Sequence, residues 1–106
     1  MPEKSFIIHL NAQVFIYVYF MTERGRIGRF VVKLNIFRDG QYSEIARYDS
    51  GLHEPHLDVI RPDGSKDRTI DYSILENDQA LNIAIQDFKS NWDLYVERWN
   101  KWRKEE

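Results

Sequence analysis

Twelve consecutive residues of the chain contain Arg47, Tyr48, Asp49, His53, Glu54, His56 and Asp58, the side-chain types that exchange protons and steady charge. Two of the three histidines fall here, and imidazole is the group whose ordinary pKa lets it gain and lose a proton near neutrality. A neighbouring carboxylate can orient such a ring, and a guanidinium can stabilise an anionic transition state. Strand alternation would put Arg47 and Asp49 on one side of their strand and His56 and Asp58 on one side of the next, with a short connection keeping the pairs close. Arg47, Asp49, His53, His56 and Asp58 are therefore the candidate catalytic set, suited to metal-independent acid–base chemistry that needs no cofactor. The plainer alternative is a sheet-edge ion pair beside ordinary loop polar groups.

Two further chemistries are open to the same region. Asp49, His53, His56 and Asp58 offer mixed nitrogen and oxygen ligands suited to Zn, Mn or Fe, although no cysteine pattern or helical His-Glu pair supports a metal site. From Arg24 to Arg38 the chain carries Arg24, Arg26, Arg29, Lys33 and Arg38 with no acid. An arginine-bearing hairpin beside Tyr17, Tyr19 or Phe37 suits an RNA backbone and a stacked base, which makes Arg24, Arg26, Arg29 and Lys33 the expected RNA contacts. A solvated hairpin balancing acids elsewhere is the alternative. The glycines form no phosphate-binding fingerprint, Ser50 and Ser73 lack the flanks of a nucleophile elbow, and His9 in an apolar segment reads as structural.

These groups need a scaffold, and its elements are legible. Val14 to Thr22 is β-branched or aromatic at almost every position and reads as a central strand. Arg29 to Arg38 alternates, and Asp39-Gly40 is the dipeptide of a two-residue hairpin, so Gln41 to Asp49 returns antiparallel. His56 to Arg61 is a short strand closed by Pro62-Asp63-Gly64-Ser65, with Thr69 to Ile74 pairing back, and Ser5 to Leu10 is assigned as strand. From Asn77 the pattern changes: Leu81, Ile85, Phe88, Trp92, Tyr95, Trp99 and Trp102 recur at steps of four and three, one stripe of a helix. Asn77 or Asp78 would cap it. The fold class is α+β: an antiparallel β-meander of four to six strands covered on one face by a long C-terminal α-helix.

A helix from Glu76 to Lys104 extends about 43 Å, whereas a spherical chain of this length is only roughly 33 Å across. The last turns should overhang and expose Trp99 and Trp102 as a partner interface, in a homodimer or a partner's groove. Alternatively the helix bends or ends early and both rings join the core. The second sheet face must be sheltered by the N-terminal segment, by curvature or by another subunit.

Size and composition set the bounds. With 106 residues the chain is expected to form a single domain, 1–106, and 42% hydrophobic residues suffice for a core without staples. Cysteine is absent, which removes thiol chemistry and agrees with a reducing, cytoplasmic setting. Fifteen basic against 17 acidic residues, net −2, argue against a general nucleic-acid binder but permit a local basic patch. The apolar run Val14 to Met21 is too short to span a bilayer, and no signal peptide is expected.

Arg47-Tyr48-Asp49, then His53, Pro55-His56, Asp58 and the Asp63-Gly64 turn, together resemble a motif of a small uncharacterised prokaryotic α+β family. The segment is also distantly similar to the TumE-type toxin components of toxin–antitoxin pairs. That resemblance implies ribonuclease activity or another block on translation, with RNA as substrate and an antitoxin protein as partner. Ser50-Gly51-Leu52 after the strand departs from the pattern. The competing expectations are a noncatalytic interaction module using the Trp-rich helix and a metal-dependent hydrolase.

Overall fold

Side chains alternate between two environments along the first two-thirds of the chain, and that alternation builds one sheet. In the computed structural model, which describes residues 2–51 and 54–105, the strands are β1 (Glu3–His9), β2 (Val14–Glu23), β3 (Arg26–Arg38), β4 (Gln41–Asp49), β5 (His56–Ile60) and β6 (Lys66–Asp71). They lie in chain order, each antiparallel to the next. Helix α1 (Asn77–Glu105) follows and packs across β3 and β4. The architecture is the expected α+β meander under one helix, at the upper end of the expected strand number.

Two-residue turns with positive φ at both positions close two hairpins: Arg24-Gly25 (54° and 78°) and Asp39-Gly40 (54° and 76°). Such turns match the twist of paired strands. The first is tighter than the sequence suggests, so β3 begins at Arg26 rather than Arg29. The β5–β6 turn is likewise tight, with Arg61 N–H bonded to Ser65 O at 2.8 Å, which starts β6 at Lys66 rather than Thr69.

The covered face is apolar. Val14, Ile16 and Val18 of β2, Phe30, Val32, Leu34 and Ile36 of β3, Ala46 and Tyr48 of β4, and Leu57 and Val59 of β5 meet Ala80, Leu81, Ala84, Phe88 and Trp99 of α1. Polar anchors fix the helix along this floor. Asp87 accepts hydrogen bonds from the Tyr48 hydroxyl (2.7 Å), the Tyr95 hydroxyl (2.6 Å) and the Asn91 amide (2.8 Å). Burial, and then the bond to Asp87, push both tyrosine hydroxyls above their ordinary range.

Both helix ends are docked to β3, and this corrects two expectations. At the start, Glu76 C=O accepts from Ala80 N–H and Gln79 bonds back to Glu76 N–H, half of a capping box. Asn77 and Asp78 instead bind the β3 backbone at Ile27 and Gly28. At the far end, Arg38 binds Asn100 and Arg103 binds Asp39. Trp99 is therefore not an overhanging interface residue: it is 4% exposed, in the core. Trp102 is half-buried, with Arg61 4.8 Å and Arg98 5.9 Å from its ring centroid. The molecule is not spherical but a slab of 46 × 26 × 21 Å, and the 13 residues of β3 extend about 43 Å, long enough to underlie the whole helix.

Candidate functional site

Among the described residues no helix lies on the opposite sheet face, and there the register sets side chains in rows. One row crosses all six strands through Ile7, Tyr17, Lys33, Arg47, Asp58 and Thr69. The next runs through Ser5, Tyr19, Val31, Asp49, His56 and Asp71. Arg47 opposes Asp58 and Asp49 opposes His56, so four of the five candidate catalytic residues form one cross-strand block. The fifth, His53, lies outside the described residues.

Asp58 is the centre of the block. Its side chain is 4% exposed although it projects from the open face, because its neighbours close over it. It accepts from the Thr69 hydroxyl at 2.7 Å, with Lys66 Nζ at 3.3 Å and His56 Nε2 at 3.4 Å. Burial alone would raise its pKa. The Thr69 hydrogen bond and the charges of His56 and Lys66 outweigh burial and hold the carboxyl below the usual range. Asp58 is thus an ionised anchor at neutral pH. His56 Nδ1 lies 3.0 Å from the Glu54 carbonyl oxygen, an arrangement in which Nδ1–H donates and Nε2 faces Asp58.

Arg47 is held differently. It forks onto Glu44, Nε to Oε1 at 2.5 Å and NH2 to Oε2 at 2.9 Å, with Asp49 3.9 Å away. The Glu44 bond chiefly raises its pKa, against an opposing contribution from burial, so the guanidinium is permanently charged but partly offset. Residues three apart on a regular strand face opposite sides. A bulge between Leu34 and Asn35 in the β3–β4 ladder buries both Ile45 and Ala46 and returns Glu44 to Arg47's side.

Two shallow depressions meet at Asp58 and Lys66. One, of about 410 Å³, is lined by Glu44, Arg47 and the β5–β6 turn; the other, of about 380 Å³, by Glu54, His56, Thr69 and Asp71. Arg47 and His56 therefore open into adjoining hollows with a common wall, and the cation in His56's own hollow is Lys66. Asp49 lines neither; its carboxylate accepts from Gly51 N–H at 2.7 Å. Among the described residues no three His, Asp or Glu side chains converge as a metal-holding group.

The expected RNA contacts separate. Arg29 and Lys33 lie on the open face, opposite Met21 and Tyr17, with Lys33 Nζ 5.9 Å from the Tyr17 ring centroid. Arg24 forms the β2–β3 turn. Arg26 turns to the helix N-terminus and pairs with Glu76 at 3.0 Å, so it does not join the other two.

A family model described as a domain of unknown function (DUF7718) matches residues 1–105. The chain belongs to the DUF7718 family. No curated protein and no solved structure matches it. In this DUF7718 chain Glu44, Lys66 and Thr69 join the site with no motif in the sequence to mark them. The β5–β6 turn alone would set Asp58 opposite Arg68, and the register shift between Val59 and Ile60 moves Thr69 there instead. The one sequence signal was the Pro62-Asp63-Gly64-Ser65 turn, which brings β6 back beside β5.

Proposed function

We propose that this DUF7718 chain binds single-stranded RNA across its open sheet face and cleaves it without a metal at His56. The observation that carries the proposal is the placement of His56 between the Glu54 carbonyl and ionised Asp58, in one hollow with the Lys66 ammonium. The Glu54 carbonyl occupies Nδ1, which leaves Nε2, 3.4 Å from Asp58, as the ring atom that exchanges a proton with substrate. It takes the proton of a ribose 2′-hydroxyl, the 2′-oxygen bonds to the adjacent phosphorus, and the 5′-oxygen leaves with a proton from solvent. Lys66 offsets charge on the phosphoryl oxygens, Asp58 positions the ring, and Arg47, Lys33 and Arg29 hold neighbouring phosphates while Tyr17 or Tyr19 stacks a base.

The likeness to TumE-type toxins supports the same reading and adds its setting: a cytoplasmic toxin-like component with an antitoxin protein as partner. The alternative of an interaction module on the Trp-rich helix has less to rest on, because Trp99 is in the core and Trp102 is half-buried.

The test is decay of labelled single-stranded RNA in chelator with the purified chain. The expected result is product ending in 2′,3′-cyclic phosphate, with His56→Ala slower by about 10²-fold or more. Equal rates for wild type and His56→Ala would exclude His56 from the chemistry. No decay with either protein would exclude cleavage.

A further inference from the structure

The sheet ends at β1, and the backbone there is unpaired on one side. Thr22 N–H donates to Pro2 O at 3.0 Å and Leu10 N–H to Val14 O at 2.9 Å, one bond at each end of the β1–β2 ladder. Hydrogen-bonded pairs alternate in an antiparallel ladder, and the β1–β2 register is unbroken. Lys4, Phe6 and Ile8 therefore turn their backbone groups to β2, while Glu3, Ser5, Ile7 and His9 turn theirs outward. All four outward residues are exposed. Edge strands are normally blunted by proline, by a bulge or by inward-pointing charge. From Glu3 to His9 there is no proline and no bulge, and the one charge on the inward side, Lys4, lies near the end of the strand and leaves Phe6 to His9 without such a guard. Two large apolar side chains are also uncovered, one on each face: Phe6 at 37%, on the side of α1, which packs on β3 and β4 instead, and Ile7 at 51%, on the open face.

We propose that β1 pairs with β1 of a second copy, antiparallel about a two-fold axis at Phe6, to give one continuous twelve-stranded sheet. The occupant follows from the strand's own sequence. Outward residues must oppose outward residues, and the register centred on Phe6 pairs all seven positions. It sets Glu3 opposite His9 and Ser5 opposite Ile7 of the second copy, each twice by symmetry. A carboxylate thus meets an imidazole at both ends, and the two Phe6 rings meet at the axis. The pairing stands on β1 alone and is independent of the cleavage reading.

Sedimentation velocity of the full chain across micromolar concentrations tests it. The expected result is a concentration-dependent species of twice the 12.8 kDa chain mass. Ile7→Pro removes an outward N–H that β2 does not use, a position where an edge strand tolerates proline, and should give a monomer with unchanged circular dichroism. Glu3→Lys keeps the backbone intact and should weaken the dimer about tenfold, and adding His9→Glu should restore it, which decides the matter should Ile7→Pro fail to fold. A wild type that stays monomeric throughout, or a dimer unmoved by Glu3→Lys, overturns the proposal.

Discussion

The same strands present two faces that solve opposite problems. Toward α1, the alternate residues at the centre of β2 to β5 are aliphatic or aromatic and nearly inaccessible, so the side chains are interchangeable in chemistry and constrained in shape. Toward solvent, the intervening residues include Tyr17, Lys33, Arg47 and His56, polar in chemistry and half-buried. Stability therefore resides on one face and the proposed chemistry on the other, and single substitutions should separate them. The largest stability loss expected is Trp99→Ala. A ring in the core should cost about 3–5 kcal/mol, read by urea unfolding. Tyr42→Ala, at a residue that is 69% exposed and faces away from the core, should cost about 1 kcal/mol, the loss of its ring contacts with Phe15 and Phe37. A small loss for Trp99→Ala would mean that the helix end is free of the sheet after all.

That contrast also explains what was legible beforehand. Asp39-Gly40, the β-branched run of β2 and the helical stripe are local signals, and each found its element. The block of Arg47, Asp49, His56 and Asp58 was legible because strand alternation and one short connection suffice to assemble it. Glu44 and Thr69 were not, since each reaches its partner through a bulge that shifts register by one residue, and no residue type announces a bulge. Burial of Trp99 depends on the length of β3 and on the contacts of Arg38 and Arg103 at the hairpin tip. Those are long-range facts that a spherical size estimate erases.

Asp58 is the exception on the open face, a buried carboxylate among half-buried groups, and it should behave as part of the stability-determining set. Its pKa is lowered in the folded chain, so its stabilisation is complete above the unfolded-state value of about 4 and is lost as pH falls through the lower folded value. At neutral pH, Asp58→Asn should cost about 1.5–3 kcal/mol, the range for hydrogen bonds to a charged group. The difference between variant and wild type should narrow as pH drops below about 4. Thermal unfolding from neutral to acid pH measures this. A gap independent of pH would show that Asp58 acts through shape and not through charge.

The smallest effect should come from charges on the surface. Arg26 and Lys33 belong to the same basic run, but Arg26 is directed to Glu76 beside the helix and Lys33 to Tyr17 on the open face. The Arg26–Glu76 pair is exposed on both sides, 70% and 64%, so Arg26→Gln should change stability by no more than about 0.5 kcal/mol. If RNA lies on the open face, Lys33→Gln should also reduce the slope of log binding constant against log salt by about 0.7, one phosphate contact on a single strand. Arg26→Gln should leave that slope unchanged. Equal slope changes in both variants would mean that the RNA footprint reaches the β2–β3 turn beside the helix and is not confined to the open face.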